Sequence, residues 1–152
     1  MHLSGMTQLP TLPCLCANLR RTSRALTQLY ETALRPLGLH SSQFTILQAL
    51  SLTGEISQGR IGEILSMDST TLTRTLAIMI RQGWVAERRG HDRRERLIRL
   101  APAGKTRFRR ALPVWQKVQS QLRAQWGDQP WNNFLQLTRQ LSKLVAAQGG
   151  SL

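Results

Sequence analysis

The stretch from Ser57 to Leu100, SQGRIGEILSMDSTTLTRTLAIMIRQGWVAERRGHDRRERLIRL, leaves few folds open. Past its first ten residues, Leu72, Leu76, Met79 and Ile80 recur at i, i+4, i+7 and i+8 and so share one helical face. Asp68 or Ser69 caps that helix, because a short oxygen-bearing side chain accepts the free amide hydrogens at a helix start. Gly83 follows Arg81 and Gln82, where a left-handed stop belongs. Before this helix, Ser57 caps a shorter one whose inner face is Ile61, Ile64 and Leu65. After it, Trp84–Arg88 and Arg96–Leu100 read as two strands around a Gly90–Glu95 tip. Two short helices joined by a turn, then a hairpin, predict a mainly α fold with a small β wing, a winged helix-turn-helix.

The polar residues of this stretch suit a nucleic acid. The second helix turns Ser69, Thr70, Thr71, Thr73, Arg74, Ala77 and Arg81 away from its apolar face. Small hydroxyls let a helix axis come close to a groove, and arginine grips guanine or phosphate. The hairpin crowds Arg88, Arg89, Arg93, Arg94, Arg96 and Arg99 against only Asp92 and Glu95. That density fits a wing seeking phosphate or the minor groove. Asp92 and Glu95 are expected to hold some of these arginines through charge-assisted hydrogen bonds. Arg94 is the candidate for the minor groove, positioned by Asp92, with Arg93 and Arg96 as phosphate candidates.

These residues resemble the MarR family of bacterial transcriptional regulators. The resemblance rests on DSTTLTR (Asp68–Arg74), QGWVAER (Gln82–Arg88), the D-x-R element Asp92-Arg93-Arg94, and Gly104 at the opening of the following helix. It extends from about Cys14 to Ala147. One departure is Ala101, where the family usually has Thr, which concerns a helix start rather than DNA reading.

Charge agrees with this reading. The net charge is +13, and Arg60–Arg110 holds thirteen basic residues against five acidic ones, or +8 of the total. Charge concentrated on one module argues for a polyanionic partner. Arginine outnumbers lysine eighteen to three, and its planar fork suits phosphate and guanine.

Along the chain, residues 1–13 read as a loose arm with Pro10 and Pro13, without the pattern of a signal peptide. No segment approaches the roughly 20 apolar residues of a membrane span, so a cytoplasmic protein is expected. Cys14 to about Arg35 reads as a helix with Leu15, Leu19, Leu26, Leu29 and Ala33 as its stripe, ended by Pro36-Leu37-Gly38. Ser41 or Ser42 caps the next helix, with Phe44, Leu47 and Leu50 as core, and Ile56 supplies a strand residue to the wing sheet. A helix from Pro102 to about Trp126 contains Pro113, expected to kink it. Asp128 caps a last helix carrying Trp131, Phe134, Leu135, Leu141, Leu144 and Val145, and Gly149-Gly150 reads as a frayed tail. The whole, 1–152, reads as one domain: residues 41–100 bind DNA, and residues 14–36 and 102–147 form dimerisation helices, as the MarR resemblance also implies. A symmetric dimer would address a near-palindromic operator in double-stranded DNA with two helices about 34 Å apart.

Two signals are expected to compete as input. Cys14 and Cys16, the only cysteines, stand at a helix start, whose positive end attracts an anion such as a thiolate. Around Cys16 the chain is similar to the organic-hydroperoxide-sensing branch of the family, which implies a redox role for Cys16 together with Tyr30, while the second tyrosine of such sensors falls near Ser41. The other input, implied by the MarR resemblance, is a small aromatic ligand held between the dimer helices and the DNA-binding part, to which His40, Trp115 and the arginines of the first helix could contribute. His2, His40 and His91 have no ligand spacing with the cysteines, so no metal is expected. No phosphate loop, nucleophile elbow or H-E-x-x-H motif is present, so neither catalysis nor a cofactor is expected. The sequence predicts a regulator, most simply a repressor released by a small-molecule or oxidative signal. The alternative is a basic architectural protein that coats DNA without sequence preference, which would not need the threonine-rich face.

Overall fold

The computed structural model describes Pro10 and residues 12–149. Most of the expected arm, His2, and the tail from Gly150 on lie outside the described residues.

Among the described residues, six helices and three short strands follow one another: α1 (Leu15–Leu34), a 3-10 turn (Arg35–Leu37), α2 (Ser41–Thr53), β1 (Ile56–Ser57), α3 (Gln58–Leu65), α4 (Ser69–Arg81), β2 (Val85–Arg89), β3 (Arg96–Leu100), α5 (Pro102–Trp126) and α6 (Asp128–Gly149). The strands form one antiparallel sheet in the order β1-β3-β2. Ile56 lies opposite Ile98, and β2 pairs with β3 from Val85–Leu100 out to Arg89–Arg96. The winged helix-turn-helix is therefore present, and Ile56 does join the wing sheet.

The core explains the arrangement. Leu72, Leu76 and Met79 of α4 meet Ile61 of α3, Phe44, Ile46, Leu47 and Leu50 of α2, and Ile98 of β3 in one buried cluster. Ala111 of α5 and Leu34 of α1 close it. Phe44 stacks at a tilt on Phe108 (5.6 Å) and Trp115 (5.9 Å), so Trp115 belongs to the packing of α2 against α5. Offset and tilted aromatic pairs at these distances are favourable beyond the area they bury.

Several local details differ from the sequence reading. Ile64 is 44% exposed, so only Ile61 and partly Leu65 turn inward on α3. Trp84 is not in β2. Its N–H bonds to Met79 O at 2.9 Å and that of Gly83 to Ile80 O at 2.9 Å. This pair of bonds closes α4 around Gly83, whose φ of 72° an L side chain would resist. His40, not Ser41 or Ser42, is the cap of α2: its N–H donates to Gln43 Oε1 at 3.0 Å, while the Ser41 N–H and hydroxyl both go to Glu31. Asp128 is already helical, after Gly127, and its carboxylate accepts from Arg123 Nε at 2.6 Å. α5 continues through Pro113 as one helix of 25 residues. Leu15 (59%) and Leu29 (42%) of the expected α1 stripe are exposed.

Candidate nucleic-acid interface

α4 is presented by its cap. Asp68 Oδ1 accepts the Thr71 N–H at 2.8 Å and Oδ2 the Thr71 hydroxyl at 2.6 Å. These bonds hold the Asp68 carboxyl below its usual pKa, the hydroxyl contact contributing most. With Leu72, Leu76 and Met79 buried, Ser69, Thr70, Thr73, Arg74 and Ala77 are exposed on the opposite side. Thr71 is also exposed, but its hydroxyl hydrogen is committed to Asp68.

The helix and the wing converge. A groove of about 730 Å³ is lined by Ser69 and Thr73 of α4, by Gln58, Gly59 and Gly62 of α3, and by Arg94 and Arg96 of the wing. Arg94 thus faces the same space as the hydroxyls of α4, although some twenty residues separate them in sequence.

Carboxylates sort the arginines. Glu55, just before β1, accepts from Arg88 Nε at 3.0 Å and from its Nη2, with Arg99 Nε 3.9 Å away. Hydrogen bonds from Arg88 are the main reason the Glu55 carboxyl lies below its usual pKa. Glu87 holds Arg96 through its Nε at 2.9 Å and its Nη2. Arg89 donates to the Arg93 carbonyl at 3.1 Å, a bond that steadies the tip. Arg74, Arg93 and Arg94 have no carboxylate partner among the described residues.

The expectation that Asp92 and Glu95 would pair with arginine side chains is corrected. Asp92 Oδ1 accepts the main-chain N–H of Arg94 at 2.9 Å, and Glu95 N donates to Asp92 O at 2.9 Å. Asp92 therefore sets the turn that carries Arg94, leaving its guanidinium unpaired. The carboxylate that matters most for the sheet, Glu55, has no local signal in the sequence, since it stands 33 positions from Arg88.

The candidate sensor residues lie elsewhere. Cys14 and Cys16 are free and exposed, and Arg20 Nη2 donates to Cys16 Sγ at 3.6 Å. Tyr30 is fourteen residues further along α1, about 21 Å by helical rise, so one chain does not bring it to Cys16. Tyr30 lines an apolar cavity of about 610 Å³ with Leu26, Leu122, Trp126, Trp131 and Phe134, and burial raises its pKa. His40 Nδ1 lies 3.2 Å from Glu31 Oε2. Partial burial works against ionisation of Glu31, but bonds from Ser41 and His40 prevail and keep its pKa low. No group of three or more potential metal ligands occurs among the described residues.

Comparison with known proteins places this geometry. The family model of the MarR family matches residues 37–95, from the turn before α2 through α3, α4 and β2 to the tip of the wing. The transcriptional regulator MosR of M. tuberculosis, in its crystal structure with DNA, is 35% identical, with a TM-score of 0.75 over 91% of this chain and 99% of that one. YwoH of Bacillus subtilis (strain 168), an uncharacterised HTH-type transcriptional regulator, is 29% identical over 80% of this chain and 88% of its own length. The transcriptional regulator PA4135, at 21% identity and a TM-score of 0.81, shares the fold over 87% of this chain and 98% of its own.

Proposed function

The chain belongs to the MarR family of DNA-binding transcriptional regulators, and from that membership we propose that it acts as a dimeric repressor that reads a near-palindromic operator through α4 and the wing. The carrying observation is the shared groove, in which Ser69 and Thr73 of α4 and Arg94 of the wing face one space. A groove of this kind accepts two chemistries at once. Short hydroxyls approach base edges in the major groove, and an unpaired guanidinium follows the strand into the neighbouring minor groove. Ser69, Thr70, Thr73 and Arg74 are the reading residues, Thr71 contributes by accepting only, and Arg93 contacts phosphate. Arg96 reaches phosphate only when it leaves Glu87.

Residues 1–152 work as one domain in this reading, with residues 41–100 on DNA and residues 14–36 and 102–147 joining two copies. α6 favours the dimer: in this amphipathic helix of 22 residues none is fully buried within its own chain. Function by binding rather than catalysis, in the cytoplasm where the DNA is, completes the reading. No helix among the described residues is long and apolar enough to cross a membrane.

The effector is an oxidant acting at Cys16. Its exposed sulfur beside Arg20 is open to an organic hydroperoxide, which would convert the thiolate to a sulfenic acid and release the alcohol. Cys14 stands ready to condense with it across or between chains, expelling water. The second reading, a small aromatic effector, is favoured by the cavity around Tyr30, whose size suits such a ligand.

The test is binding of the pure protein to its own upstream DNA and to scrambled DNA at physiological salt, with and without an organic hydroperoxide. Preference for the upstream DNA, lost on oxidation, is the expected result. Equal affinity for both duplexes at every upstream fragment tried would favour the architectural alternative. Cys16→Ser is expected to bind DNA normally and to stay bound under peroxide. Normal release by that variant would move the search to the Tyr30 cavity.

A further inference from the structure

Gln58, the first residue of α3, touches the groove face of α4 from the adjoining wall of the groove: its Nε2 donates to Thr73 Oγ1 at 2.8 Å. Its Oε1 is buried and meets no donor among the described residues. Burial of the amide favours this sense of the bond. Turning the amide over would require Thr73 to donate inward, and would bury an NH2 group with two unmatched hydrogens in place of one unmatched carbonyl. Bare acceptors are better tolerated in protein interiors than bare donors.

Thr73 differs in this from its neighbours. Thr75 spends its hydroxyl hydrogen on Thr71 O at 2.9 Å, and Thr71 spends its own on Asp68 at 2.6 Å. The Thr73 oxygen instead receives a hydrogen, which bars its own O–H from that direction and leaves it free to point outward. A hydroxyl is normally ambivalent, able to give or take. Here one of its options is removed by Gln58, a half-buried residue that lines the same groove.

We propose that Gln58 is a specificity-determining residue that acts through Thr73, polarising its hydroxyl into a hydrogen-bond donor toward the major groove. The proposal rests on the reading of α4 as the groove helix. A donor at this point selects the acceptors of a base edge, thymine O4 or guanine O6 and N7, over the amino groups of adenine and cytosine. Phosphate oxygens are acceptors of the same kind, and the experiment separates the two.

The experiment is selection from a pool of randomised duplexes, at fixed salt, with the unaltered chain and with Gln58→Glu, Gln58→Leu and Thr73→Val. In Gln58→Glu the carboxylate accepts only, so Thr73 donates inward and turns a lone pair to the groove. At one base pair per half-site the preference is then expected to move roughly tenfold from acceptor-bearing to amino-bearing bases. Gln58→Leu is expected to level the preference at that same pair and leave the others intact. A purely structural role for Gln58 would weaken every position alike. If Thr73→Val changes one base pair but neither Gln58 variant does, the proposal falls and the groove reading stands. If Thr73→Val lowers affinity across all sequences equally, its hydroxyl meets phosphate, and the proposal falls as well. Failure of the unaltered chain to enrich any sequence would instead overturn the regulator reading itself.

Discussion

Arg94 and Arg96 stand two residues apart on one hairpin, yet their side chains have different tasks. Arg96 is held by Glu87, whereas Arg94 has its main chain held by Asp92 and its guanidinium left over. Arg94→Ala is therefore expected to weaken operator binding by about 1–3 kcal/mol at fixed salt, with thermal stability unchanged. Unaltered affinity would take the wing tip out of the mechanism. Gly104 carries a stability prediction of similar sharpness. A Cβ there would lie 2.8 Å from the Trp84 carbonyl carbon, against main chain that cannot yield like a side chain. Gly104→Ala should cost at least about 3 kcal/mol in chemical denaturation, the upper range for overpacking, because α5 must move off the Trp84 turn. A loss under about 1 kcal/mol would mean that α5 can slide without penalty.

Elements were more legible than contacts. Asp68 capping α4, Gly83 closing it, and the Arg96–Leu100 strand all follow from local chemistry, and all stand where the residues put them. What sequence cannot display is partnership across the fold. Ile64 has the spacing of a core residue but lies on the open side of α3, and Glu55 meets Arg88 only because β1 docks beside β3. The same holds for Arg107, which stacks on Trp84 at 4.4 Å and donates to Leu37 O, joining α5 to the end of α1. Wing anchoring by Glu55 has a measurable consequence. Glu55→Ala frees Arg88 and Arg99, so binding to scrambled DNA should tighten and its salt dependence steepen by up to about two phosphate contacts. The preference for operator over scrambled DNA should fall. An unchanged salt slope would show that neither arginine reaches the strand.

At the scale of the whole molecule, the proposed dimer answers to apolar surface that one copy leaves open. Its inner core is closed by α1, α2 and α5, but α6 packs chiefly through Trp131, Phe134 and Leu141, with Phe134 set 5.4 Å from Trp126. Leu137 (60% exposed) and Leu144 (57%) lie seven residues apart on the outer side, next to Val145 (56%), and Leu15 of α1 is 59% exposed. So many large apolar residues left open on the terminal helices argue for an interface, since monomers seldom expose contiguous patches of this kind. Two linked α4 helices then gain over one because the second half-site is met at high effective concentration. The double variant Leu137→Glu/Leu144→Glu removes that gain without touching the core. It should sediment as a monomer with an unchanged helical circular dichroism signal and bind the operator at least about 100-fold more weakly. Its affinity for a single half-site should stay level with that of the unaltered chain. A variant that remains dimeric would place the contact on other helices, and a monomer that keeps full operator affinity would show that one recognition helix suffices.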